Sequence, residues 1–186
     1  MHRGIRTLLL AEGFFLFAGG LLGPIWAVYV EKIGGDILDA SGAFGTFMLT
    51  AALTIYLLGK FEQHQRLKAN FVVLGYFIGS IGYAGYLFVQ STTSLFLVQA
   101  ILGLTVAIKD PAYDGLYSKF AKRHLTLAWG EWEAMDYLAA GVSAIFGGLV
   151  ANFFGFKTLF LLMVAFSLLG LLVSLGLMHL GRLKRS

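Results

Sequence analysis

Thr158-Leu-Phe-Leu-Leu-Met-Val-Ala-Phe-Ser-Leu-Leu-Gly-Leu-Leu-Val-Ser-Leu-Gly-Leu-Met-His-Leu180 decides the class of this protein. The run holds no aspartate, glutamate, lysine or arginine. It is longer than the roughly 20 apolar residues a helix needs to cross a bilayer. A helix that is apolar all round has no face for water, so lipid or protein must surround it. The rest of the chain has the same character. Of 186 residues, 58% are hydrophobic and 13% charged, against roughly 25% charged in soluble domains. Mean hydropathy is +0.79. A soluble fold of this length could not hide so much apolar surface.

Working outward from that run, six spans can be marked: Thr7–Val30, Gly42–Leu58, Asn70–Val89, Leu95–Tyr117, Thr126–Phe153 and Thr158–Leu180. The connections between them are short, so residues 1–186 read as one all-α membrane domain of six helices. Arg3 and Arg6 precede the first span as in a secretory signal, but the span is long and lacks an A-x-A cleavage site, so a retained helix is expected. Met1 and the basic tail Arg182–Arg185 lead us to expect a complete chain.

The loops alternate in charge. Arg3, Arg6, Lys60, Arg66, Lys68, Lys119, Lys122, Arg123 and the tail fall on one side, and only Lys32 and Lys157 on the other. Cytoplasmic loops carry the excess of lysine and arginine. Both termini are therefore expected in the cytoplasm, with the chain multi-pass in the plasma (inner) membrane. The net charge of +4 is a topology signal and gives no reason to expect nucleic acid. There is no cysteine, no H-E-x-x-H helix and no Ser–His pair, so neither an enzyme, a metal site nor a cofactor is expected.

Charge inside the spans is confined to three of them: Glu12 in the first, Lys109, Asp110 and Asp114 in the fourth, and Glu131, Glu133 and Asp136 in the fifth. Such groups are costly in hydrocarbon and normally face protein or water. Asp110 and Asp114, four apart, share a helix face. Two readings stand side by side. These groups line an aqueous cavity that binds substrate or protons, or they form structural ion pairs near the headgroups. Lys109 lies deepest and needs a carboxylate partner. Asp110 points about 100° away on the helix, which leaves the first or fifth span, or another subunit, to supply it. Glu12, Glu131 and Glu133, near span ends, read as structural.

Small residues form stripes at Gly75, Gly79, Gly82 and Gly85, at Gly19 and Gly23, and at Ala140, Ala144 and Gly148. Such stripes let helices approach closely in lipid. Pro24 and Pro111 lie in the last third of the first and fourth spans, and both are expected to break their helices. Matching interruptions in two three-helix sets are a pointer to an inverted three-plus-three repeat.

The chain as a whole resembles one half of a major facilitator superfamily transporter. The resemblance rests on the six spans, the basic loop between the second and third, and the proline- and glycine-bearing fourth. It also rests on Gly147-Gly148-Leu149-Val150-Ala151-Asn152-Phe153-Phe154-Gly155-Phe156, followed by Phe160. The family's loop motif is degenerate here. Glu62 takes the acidic position and Arg66 and Lys68 the basic tail, while Leu58 and Gln65 replace glycines. Ser143-Ala144 stand where antiporter members carry Gly-Pro. If the pattern carries over, Glu62, Arg66 and Lys68 form a gating latch, and Lys109 replaces the arginine that many members place in the fourth helix.

The resemblance implies a half-size secondary transporter of a small solute. It works as a parallel homodimer by alternating access, with helices 1, 2, 4 and 5 lining the cavity and 3 and 6 outside it. Lys109, Asp110, Asp114 and Asp136 are the expected substrate or proton ligands. Gln99 and Tyr113, with Tyr117, Trp129 and Trp132, would supply hydrogen bonds and stacking. The alternative is a non-transporting subunit or assembly partner that docks with another six-helix protein.

Overall fold

The structure, a computed structural model, describes residues 3–58, 68–122 and 124–182, with residues 179–182 by backbone alone. Glu62 and Arg66 of the expected latch lie outside the described residues. All described elements are helical. α1 (Arg3–Gly20) gives way to a 3-10 turn, Gly23–Ile25, and then to α2 (Trp26–Lys32). α3 is Ile37–Leu58, α4 is Lys68–Gly85 with a 3-10 turn at Tyr86–Phe88, α5 is Thr92–Ala121, and α6 is Leu125–Arg182.

Local chemistry sets the starts and breaks. Pro24 opens the 3-10 turn, where its missing N–H would have been unpaired anyway. Asp36 starts α3 by accepting from the backbone N–H of Leu38 and Asp39 at 2.8 and 2.9 Å, while Asp39 accepts from Asp36 N–H. Ser91 and Ser94 cap α5 reciprocally, which satisfies N–H groups that have no partner within the helix. Pro111 does not break α5 as expected from sequence. The helix runs through it, because proline's fixed φ is compatible with a helix. What it removes is the bond to the Ala107 carbonyl.

Five helical stretches are long and apolar enough to cross a membrane: Arg3–Lys32, Ile37–Leu58, Lys68–Phe88, Thr92–Ala121 and Leu125–Met178. Six were expected. The difference is the connection at 154–157, which is not a loop but a single non-helical residue, Gly155, at φ 81 and ψ 169. Glycine takes that backbone conformation without a Cβ penalty, and neither neighbour leaves the helix.

α1 is the central strut. Before Gly155, α6 climbs along it: Gly13 lies against Met135, Gly20 against Ser143, and the Leu21 backbone against Gly147. Beyond Gly155 the order reverses. Phe160 packs on Tyr29 with centroids 4.9 Å apart and Phe166 on Phe17 at 4.6 Å, and Gly170 meets the Ala11 carbonyl. α4 lies antiparallel on α5, with Gly75 facing Lys109, Gly79 facing Thr105, Gly82 facing Leu102 and Gly85 facing Val98. The stripe in the fifth span is displaced from the one read in the sequence. Ala140, Ser143 and Gly147 meet α1, while Gly148 faces open space.

A Cβ at Gly147 would overlap the Leu21 backbone, whereas one at Gly148 would touch nothing. Gly147→Ala is therefore expected to destabilise by about 1–3 kcal/mol and to lower the thermal midpoint of the detergent-solubilised protein. Gly148→Ala should leave the midpoint unchanged or raise it, since alanine is the better helix former. Equal loss in both variants would contradict this packing.

Candidate functional site

The site is built on α5. Gly75 has no side chain, so α4 comes close enough to bury the stem of Lys109, which is 3% exposed. Its ammonium meets both oxygens of Glu12, at 2.6 and 2.8 Å, and Asp110 Oδ1 at 2.8 Å. The Tyr76 hydroxyl donates to Glu12 Oε2 at 2.6 Å. Rings of Phe15, Tyr76 and Tyr113 lie with centroids 5.4–5.5 Å from the ammonium. An ammonium removed from water needs this kind of enclosure, because bidentate pairing, a further carboxylate and aromatic faces together replace its hydration.

Glu12, on α1, is thus the lysine's partner, and it is buried at the centre of the helix packing rather than beside headgroups. Asp110 also reaches the ammonium although the two side chains leave the helix in different directions. The four-carbon lysine stem is flexible enough to bend back. The two carboxylates differ in their surroundings. The Glu12 side chain is 6% exposed and that of Asp110 is 42% exposed.

Asp110 opens onto a cavity of about 340 Å³. Glu12, Lys109, Asp110 and Asp136 are its charged lining groups, and Phe15, Phe47, Leu102 and the ring of Tyr83 are among its apolar walls. Its residues come from α1, α3, α4, α5 and the part of α6 before Gly155, and none comes from beyond it. Gln99 does not reach this cavity. It is buried and donates to the Tyr86 hydroxyl at 3.1 Å, lining an adjoining space of about 280 Å³ that shares Gly19, Phe47, Tyr83 and Leu102.

The other residues singled out by sequence fall as follows. Asp114 is exposed and off the cavity wall. Tyr113 is buried beside Lys109, with the Trp132 ring nitrogen near its hydroxyl. Tyr117 donates to the Ala128 carbonyl at 2.5 Å and packs on Trp129, joining the end of α5 to the start of α6. Lys68 lies against Gly115 of α5. Pro24 is exposed and is not among the residues lining the adjoining space, although Gly23 and Trp26 are.

Sequence reading missed Tyr76 and the aromatic walls. The signal was present, since Tyr76 and Tyr83 are seven apart, as on one helix face, and interleave with the glycines that press α4 onto α5.

Comparison with known proteins bears on the whole chain. The family model for the Major Facilitator Superfamily matches residues 8–185. The uncharacterized MFS-type transporter MJ1560 of Methanocaldococcus jannaschii is 25% identical over 139 residues, covering 74% of this chain and 36% of that protein. The uncharacterized MFS-type transporter YitZ of Bacillus subtilis is 26% identical over 172 residues, covering 89% of this chain and 99% of that protein. The chain thus aligns with about a third of the archaeal relative and with nearly all of the bacterial one.

Breaking a buried ion pair on one side leaves the other charge without compensation, at a cost of about 3–5 kcal/mol. Lys109→Met strands Glu12 and is expected to lower the thermal midpoint more than Glu12→Gln, which leaves the lysine with Asp110. The double variant should recover most of the loss, read as a coupling in a double-mutant cycle. Strictly additive losses would mean that the pair carries no coupling.

Proposed function

The chain belongs to the major facilitator superfamily, and we propose that two parallel copies of it make one secondary transporter of a small solute. Membership of the family places the chain among membrane transporters rather than enzymes. In our reading α6 supplies two spans that turn at Gly155, giving six in all. Both termini lie on the cytoplasmic side of the plasma (inner) membrane. The reversal of packing order along α1 at Gly155 supports the first point, and the sidedness of lysine and arginine supports the second.

The observation that carries the proposal is the cavity. Its ionisable groups are held by helices that also present unpartnered apolar faces. Leu49 and Leu53 on α3, and Tyr137, Leu138 and Ile145 on α6, are exposed on the single chain. In a bilayer such faces can meet either lipid or a second copy, and closed two-fold dimers are the commonest oligomer. Parallel halves related by an axis along the membrane normal preserve topology. The near-full alignment with YitZ also supports a transporter assembled from chains of this length. Rocking of the copies about the cavity would expose it alternately to either side, and Lys68 with Glu62 and Arg66 would latch the cytoplasmic face.

Proteoliposomes containing the full chain are expected to move at least one member of a broad panel of small solutes faster than protein-free liposomes. Asp136→Asn should lower that flux at least several-fold. Absence of flux across the panel, together with a monomer in lipid nanodiscs, would overturn the proposal. Stoichiometric copurification with a different six-helix protein would favour the docking-subunit reading instead.

A further inference from the structure

We propose that the cavity takes organic cations, a statement about substrate class that rests on the transporter reading above. The ionisable lining is unbalanced, with three carboxylates facing one ammonium. The ammonium is not available to an anion. Glu12 holds it with both oxygens, Asp110 holds it from the cavity side, and aromatic rings close around it. Lys109 and Glu12 cancel one another inside the protein, which leaves Asp110 and Asp136 as the charge the cavity presents.

Those two groups differ from Glu12 in being able to receive a ligand. The Asp110 side chain is 42% exposed. Asp136 is half-buried on the wall and has no hydrogen-bond or ion-pair partner among the described residues. Apart from Thr105 and the Tyr83 hydroxyl, the remaining wall is apolar and aromatic, with Phe15, Phe47 and the Tyr83 ring. Aromatic faces attract cations, and two carboxylates in a space of low dielectric repel anions strongly. A neutral solute would leave Asp136 without a counter-charge and Asp110 sharing a single ammonium with Glu12. The combination fits an amine or quaternary ammonium with an apolar body small enough for about 340 Å³. Lys109 is then a positioning residue. It fixes Asp110 at the cavity edge and does not touch the substrate.

The test uses the full chain in phosphatidylcholine nanodiscs and titration calorimetry against empty discs. Phenyltrimethylammonium is the cationic probe and benzenesulfonate its anionic counterpart. The cation should bind saturably and the anion should not. Asp136→Asn should weaken cation binding about ten-fold or more. Glu133→Gln, exposed on the same helix and off the cavity wall, should leave it unchanged. If the first variant does not elute as a single species, Asp110→Asn takes its place. Binding of the anion as tightly as the cation would overturn the substrate class while leaving the transporter reading to its flux test. Saturable cation binding indifferent to both aspartate substitutions, or no saturable binding of the cation, would overturn the proposal as well.

Discussion

The contact between Lys109 and Glu12 organises the rest of the molecule. A charge at this depth is tolerated only with a partner held in place, and the partner lies 97 positions away on another helix. To bring the two together, α5 must approach α4 closely, which Gly75 permits, and α1 must lie alongside both. Tyr76 then ties α4 to the same carboxylate. One ion pair thus fixes the mutual rotation of α1, α4 and α5. In lipid, where apolar surfaces gain little by associating, close packing and polar contacts of this kind set the geometry between helices.

The consequence for function is a division of labour among charges that looked alike in the sequence. Glu12 is structural in that it neutralises the lysine, yet it is also the wall of the cavity. Asp110 stands between the two roles, bonded to the ammonium on one side and open on the other. Asp136 is left without a counter-charge among the described residues. Charge balance within the fold and the charge that lines the cavity are therefore set by the same four side chains.

The class of fold was legible because length and hydropathy alone decide whether a helix can cross a bilayer. How the last two spans are joined was less so. Gly155 is one glycine in a chain with 24 of them; Gly34 also takes a positive φ, and nothing local shows that Gly155 does so with helix on both sides while Gly148, seven residues earlier, stays helical. Rotation about helix axes was equally hidden. The sequence placed Glu12, Lys109 and Asp136 on their spans, but which faces meet depends on long-range packing. That is why Glu12 read as a headgroup residue, why Gly147 and not Gly148 meets α1, and why Asp114 shares a face with Asp110 without sharing its cavity. Pro111 shows the opposite error, a local rule overridden by the helices packed around it.

The central claim is that a second copy completes the cavity. Phe47 of α3 and Asp136 of α6 flank the same cavity, and in the proposed dimer a two-fold axis through its mouth would set α3 of one copy against α6 of the other. The chain has no cysteine, so the arrangement can be read directly. Differently tagged copies carrying Leu49→Cys and Leu138→Cys are coexpressed and treated with a short bismaleimide in native membranes. The account predicts a crosslinked species of twice the chain mass carrying both tags, formed far more readily in the mixture than by either variant alone. If neither variant crosslinks to the other, and each remains monomeric or joins a different protein, the two-copy cavity is contradicted.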